Sequence, residues 1–129
     1  MTRTLIVSSS LDELEKASLW LIRYLPKSLS ESKKNNIVLV VQEMVTNAII
    51  HGNKSIKSKE VFLSLKIIEN TSITFTIEDE GLGLSSLPSK EEAKKMDYLQ
   101  EGGRGLKLAV LLSDDIQIKE NKVILVFTI

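Results

Sequence analysis

Two pairs of alternating apolar and polar runs constrain this chain more than anything else in it. VFLSLKIIE (61–69) is separated from SITFTIED (72–79) by Asn70 and Thr71, and DIQIKE (115–120) turns at Asn121 into VILVFTI (123–129). Period-two runs joined by so few residues predict antiparallel hairpins. RTLIVS (3–8) adds a short first strand.

The segments between change period. In SLDELEKASLWLIRYL (10–25), Ser10 and Glu13 have the spacing of a capping box, apolar residues recur at helical intervals, and Pro26 follows. A second box, Ser28 with Glu31, predicts a helix to about residue 51. Ile37, Val40, Val41, Met44, Val45, Ala48 and Ile49 make its apolar face, and Gly52 stands where a C-cap is expected. Residues 84–101 are polar and weakly helical at best between two glycine clusters, the length and composition of a functional lid that is mobile when empty. A last helix starts near Gly105. The order β-α-α-β-β-lid-α-β-β predicts one α+β domain over 1–129, a two-layer sandwich with helices on one face of an antiparallel-rich sheet.

Composition removes several function classes. Seventeen basic and seventeen acidic residues cancel, so no global field points to direct nucleic-acid binding or an anionic membrane. The apolar runs are too short to span a bilayer, and the N-terminus has no signal-peptide core. With no cysteine, disulfides and thiolate chemistry are excluded and a cytoplasmic location is expected. A single histidine excludes a multi-histidine metal site within the chain.

Three stretches carry possible chemistry. In EMVTNAIIHG, Glu43, Asn47 and His51 recur every four residues, a spacing that brings Cβ atoms to about 5–6 Å on one helix face. A carboxylate there can act as a base and an amide oxygen can ligate Mg²⁺; the same stripe is equally the wetter edge of a core helix. In Asp79-Glu80-Gly81-Leu82-Gly83, the glycines permit close backbone approach and the aspartate can accept from an exocyclic amine, although strands often end in glycine turns. In Gly102-Gly103-Arg104-Gly105-Leu106, free backbone N–H groups, a helix N-terminus and a guanidinium suit a phosphate; a plain hinge has the same composition. No P-loop, dinucleotide fingerprint or eukaryotic-kinase motif accounts for them.

In this order the three stretches resemble the ATP-binding boxes of the GHKL superfamily, the Bergerat fold of gyrase, MutL and histidine-kinase ATPase domains. EMVTNAIIHGNK resembles the N box, EDEGLGL the first glycine box and GGRGL the second. Within the superfamily the chain is most similar to bacterial anti-sigma factor serine kinases of the RsbW/SpoIIAB type. The resemblance implies a mixed, mostly antiparallel sheet and an ATP lid at about 84–104. It implies Glu43 as general base, Asn47 on Mg²⁺, and Asp79 on the adenine amine. Gly81 and Gly83 make room for the nucleotide, and Gly103, Arg104, Gly105 and Leu106 form the phosphate-gripping end. His51 falls within the N box and helps shape the pocket; it is not a phosphorylated histidine. The implied activity is transfer from ATP to a serine or threonine of a STAS-type anti-sigma antagonist, with sequestration of a sigma factor by a homodimer. Two alternatives are a partner-switching module without transfer and an ATPase-like domain serving a histidine-phosphotransfer partner. The last hairpin lacks the family's Gly-Thr pair, reading ENKVILVFTI.

Overall fold

The computed structural model describes residues 1–81, 89–95 and 103–129. Five strands form one sheet: β1 (Thr2–Ser8), β2 (Glu60–Ile68), β3 (Ser72–Glu78), β4 (Asp115–Lys119) and β5 (Lys122–Thr128). Their order is β1-β2-β3-β5-β4, and every pairing is antiparallel. Both expected hairpins are present, with Asn70 and Glu120 at positive φ in their turns. The sheet is thus antiparallel throughout its described part, where the resemblance implies a mixed one.

Alternation decides which face is buried. Leu63, Ile77 and Val123 form one cross-strand row, and Leu65, Phe75 and Leu125 form the next. These side chains join Leu21, Ile37, Met44 and Ile49 from the helices in one core. Each large apolar side chain buried there contributes roughly 1.5–3 kcal/mol. Trp20 meets Phe75 edge-on at 6.1 Å between ring centroids, locking the first helix to the middle of the sheet.

The helices are α1 (Leu14–Tyr24), α2 (Glu31–Asn47), α3 (Lys90–Lys95) and α4 (Gly103–Leu112). A short 3₁₀ turn, Leu11–Glu13, precedes α1 and is capped by Ser10, whose hydroxyl accepts from Asp12 N–H at 3.4 Å. The Glu13 carboxylate instead accepts from the Ser8 hydroxyl, so the expected reciprocal box is not completed. Ser30, not Ser28, caps α2 by accepting from Lys33 N–H at 3.1 Å. At its far end α2 widens into a π turn, Ala48–Gly52, with Asn53 N–H bonding to Ala48 C=O at 2.8 Å. Lys54 and Ser55 take the left-handed conformations that end the helix, and Ser55 N–H bonds to Ile49 C=O. Gly52 is therefore not the left-handed cap its position suggests.

Within the stretch expected to be weakly helical at best, 90–95 is a helix. Ser89 and Glu92 make the reciprocal capping box, at 3.1 and 3.2 Å. Ala93 is fully buried, and Lys107 on α4 donates to the Lys94 carbonyl at 3.5 Å. The remainder of the expected lid, with the mobility predicted for it, lies outside the described residues.

Candidate functional site

The C-terminal end of β3 delivers Asp79 to the edge of the core, where it is only 8% exposed. Its carboxylate accepts the Gly81 N–H at 2.8 Å. Burial pushes the Asp79 carboxyl above the ordinary aspartate range, against the Gly81 hydrogen bond; the Glu78 charge adds to the rise and Lys59 opposes it.

Two glycines make that position possible. A β-carbon on Gly52 would fall 2.2 Å from Asp79 Oδ2, and one on Gly81 would fall 2.0 Å from the Gly52 carbonyl oxygen. The widened end of α2 and the turn after β3 thus meet backbone to backbone, with the carboxylate wedged between them. Gly81, expected to make room for a nucleotide, makes room here for the Gly52 carbonyl, and Gly52 acquires a role the sequence did not indicate.

A cleft of about 60 Å³ opens beside this junction. Met44, Ala48, Ile77 and Val123 supply apolar walls, and Asn47, His51 and Asp79 stand on its border. An apolar slot ending in one carboxylate suits a flat ring that carries an amine. His51 is exposed at the mouth, which fits shaping of the pocket better than proton chemistry in a closed site.

The glycine-rich start of α4 reaches the same place. A β-carbon on Gly105 would lie 2.8 Å from Asn47 Nδ2 and 3.3 Å from Glu43 Cβ, so the glycine lets this turn rest on α2 without displacing the Asn47 amide. Glu43 and Asn47 are half-buried at that contact, and Leu106 packs against the core. Gly103 and Arg104 begin α4, but the Arg104 side chain and Gly83 lie outside the described part of the molecule. The structure thus brings Asn47, His51 and Asp79 around one cleft with Gly52, packs Gly81 against Gly52, and sets Glu43 and Gly105 beside Asn47.

Among the described residues no three His, Asp or Glu side chains converge to hold a metal. That donor set fits Mg²⁺ only in its nucleotide-bound form, which takes one or two protein oxygens and draws the rest from phosphate and water. Asn47 offers one such oxygen beside the α4 start.

Two asparagines outside the expected site support it. Asn53, fully buried, accepts the Glu80 N–H at 2.7 Å and donates to Ser9 Oγ at 2.8 Å and Glu60 C=O at 3.0 Å. Asn121 accepts the Asp79 N–H on its backbone carbonyl at 3.2 Å, and its side-chain amide donates to the Asp79 carbonyl. Asn121 was legible as a turn residue only, and nothing in the sequence pairs Asn53 with residues so distant along the chain.

Residues 7–129 match the family model described as histidine kinase-like ATPase domain. An anti-sigma F factor of Clostridium perfringens is 35% identical over 92 residues, 67% of this chain and 63% of the relative. Those of Priestia megaterium and Heyndrickxia coagulans are 34% and 32% identical over 88 residues, 64% of this chain. The matched region spans about three-fifths of these relatives' lengths, 63% and 58%. The RsbU and RsbW domains of Rv1364c from Mycobacterium tuberculosis superpose on 99% of this chain and 32% of that one, with a TM-score of 0.67 at 14% identity. A blue-light activated histidine kinase from Erythrobacter litoralis superposes on 95% of this chain and 60% of that one, with a TM-score of 0.54 at 17% identity. With the family model covering nearly the whole chain and the fold reproduced by both neighbours, the chain belongs to the histidine kinase-like ATPase family.

Proposed function

We propose that this chain binds ATP in the cleft beside Asp79 and transfers its terminal phosphoryl group to a serine or threonine hydroxyl of a STAS-type anti-sigma antagonist. The same chain sequesters a sigma factor, the antagonist and the nucleotide deciding which partner is held. The observation that carries the reading is the wedge of Asp79 between Gly52 and Gly81 at the end of an apolar slot, with Glu43 and Asn47 one helical turn apart beside it. The anti-sigma F factors it resembles point the same way.

In this reading the Asp79 carboxylate accepts from the adenine amine, and the apolar walls cover the ring. Glu43 takes the proton from the attacking hydroxyl, Asn47 holds Mg²⁺, and the α4 start at 103–106 faces the phosphates. Asn47 would hold Mg²⁺, which when bound would offset the charge of the phosphates. Positioning and charge neutralisation supply most of what phosphoryl transfer needs, so so few residues suffice. The whole chain works as one domain in the cytoplasm, as a homodimer. Among the described residues no helix is long and apolar enough to cross a membrane.

Calorimetric titration with a non-hydrolysable ATP analogue, with and without Mg²⁺, tests the reading. Binding that tightens with Mg²⁺ and disappears in Asp79→Asn is expected. Absence of binding overturns it and leaves the second reading, a partner-switching module without transfer, which the missing Gly-Thr before β5 favours.

A further inference from the structure

The β4–β5 hairpin turn lies at the nucleotide end of the sheet because the β3–β5 register pairs Glu78 with Lys122. Lys119 pairs with Lys122, so Glu120 and Asn121 form a two-residue turn directly beside Asp79. Glu120 holds φ 57°, a conformation L side chains rarely adopt, and glycine would take it without strain. Retention of a strained residue is a reason to ask what the turn achieves.

It closes a ring around one residue, gripping the peptides on both sides of the Asp79 α-carbon. The Asp79 N–H donates to the Asn121 carbonyl, and the Asn121 side-chain amide donates back to the Asp79 carbonyl. The 79–80 peptide, whose carbonyl takes the Asn121 amide, is also held from its opposite side, where its N–H, that of Glu80, donates to Asn53 Oδ1. Asp79 therefore cannot rotate about its backbone without breaking hydrogen bonds on both flanks. Its carboxylate has little room to compensate, since Gly52 lies against Oδ2 and the Gly81 N–H is bonded to Oδ1. Val123, two residues after Asn121, lines the same cleft, so the turn also sets one wall of the slot.

We infer that Asn121 is a positioning residue for base selection: its side-chain amide fixes the Asp79 peptide so that the carboxylate meets a 6-amino purine and rejects a 6-oxo one. This rests on the ATP-binding reading, and it gives the hairpin a device of its own where the Gly-Thr pair is missing. A buried carboxylate in a fixed pose lacks a donor when it faces a carbonyl oxygen, and that mismatch is the source of discrimination. If the carboxylate can swing, it escapes the mismatch and discrimination falls.

The test is a titration of the wild-type protein and Asn121→Ala with ATP and with inosine triphosphate, alongside thermal denaturation of both. The wild type is expected to prefer ATP, and the variant to bind ATP about five-fold more weakly with the ATP-to-inosine ratio falling toward one. The Asp79 N–H bond to the backbone of residue 121 survives the substitution, so the hairpin register should hold. A variant with lower thermal stability but an unchanged ratio overturns the inference, because a purely structural turn residue lowers both affinities together. Asn121→Ser, whose hydroxyl can still donate, should recover part of the ratio, and it is the variant to read if alanine prevents folding. Equal recovery of neither affinity nor ratio by serine, with the fold intact, also counts against it. A wild type that binds no nucleotide overturns the parent reading, and this inference with it.

Discussion

Gly52 gives up its side chain to Asp79: a β-carbon at Gly52 would stand 2.2 Å from Asp79 Oδ2, inside any permitted contact. The neighbour is a wedged carboxylate rather than the free end of a flexible chain, so the structure has no inexpensive way to yield. Gly52→Ala should destabilise the fold by about 1–3 kcal/mol and weaken ATP binding more than about ten-fold. Thermal denaturation and calorimetry of the same preparation check both. Unchanged binding in a folded variant would show that the glycine is incidental to the site.

Glu43 stands apart from the cleft lining, beside Asn47 and the α4 start. Its assigned part is in transfer, not in holding the base. Glu43→Ala should keep ATP affinity close to wild type and lower antagonist phosphorylation by about 10²-fold or more. Radiolabel transfer from ATP to a cognate antagonist reads the second quantity. Transfer at the normal rate would assign the base elsewhere.

Burial raises the Asp79 carboxyl above its unfolded value of 3.8, overcoming the Gly81 N–H. The folded chain consequently binds this proton more tightly than the unfolded one. The group's contribution to stability is full below 3.8 and is lost as pH rises through the raised folded value. At neutral pH its charge is a cost. Asp79→Asn should therefore melt higher than wild type at neutral pH, with the gap closing in acid, while losing ATP binding. Melting curves across the acid-to-neutral range check the sign, and a variant less stable at neutral pH would refute it.

Asn53 is the most heavily used side chain near the site, joining Ser9, Glu60 and Glu80 from three parts of the chain. Asn53→Ala removes the partner of the Glu80 N–H and the Glu60 carbonyl and the Ser9 contact at a fully buried position, and should cost about 1–3 kcal/mol, read by urea denaturation. A loss under half a kilocalorie would mean water replaces the amide readily.

What was readable from the sequence was local. Alternation identified both hairpins, and the boxes included Asn47, His51 and Asp79, which the structure sets on the cleft, and Glu43 and Gly105 beside it. Competition between nearby signals caused the misplacements. Ser28 and Ser30 both precede Glu31-bearing turns, and only the structure shows that Ser30 faces the Lys33 N–H. The Ser89–Glu92 box was as plain in the sequence as Ser10–Glu13, yet its polar surroundings hid a helix that docks through one buried alanine. Gly52 sat where a cap belongs, while Lys54 and Ser55 took the left-handed conformations. The contacts of Asn53 with Glu80 and of Asn121 with Asp79 span sheet register, which no local pattern encodes.

The widened turn at Ala48–Gly52 spends one residue more than a regular helical turn needs. Seen in codons, it is a place where the reading of the site depends on phase. The turn already holds its extra residue, so inserting one codon between 48 and 51 should leave a helix of nearly the same composition, turned by roughly 100° beyond the insertion. The residue then presented to Asp79 would no longer be glycine, and the cleft would close although the core could still fill. Single-codon insertions across Ala48–Gly52 should therefore abolish ATP binding, including beside His51, whose exposed side chain would otherwise mark the place as tolerant.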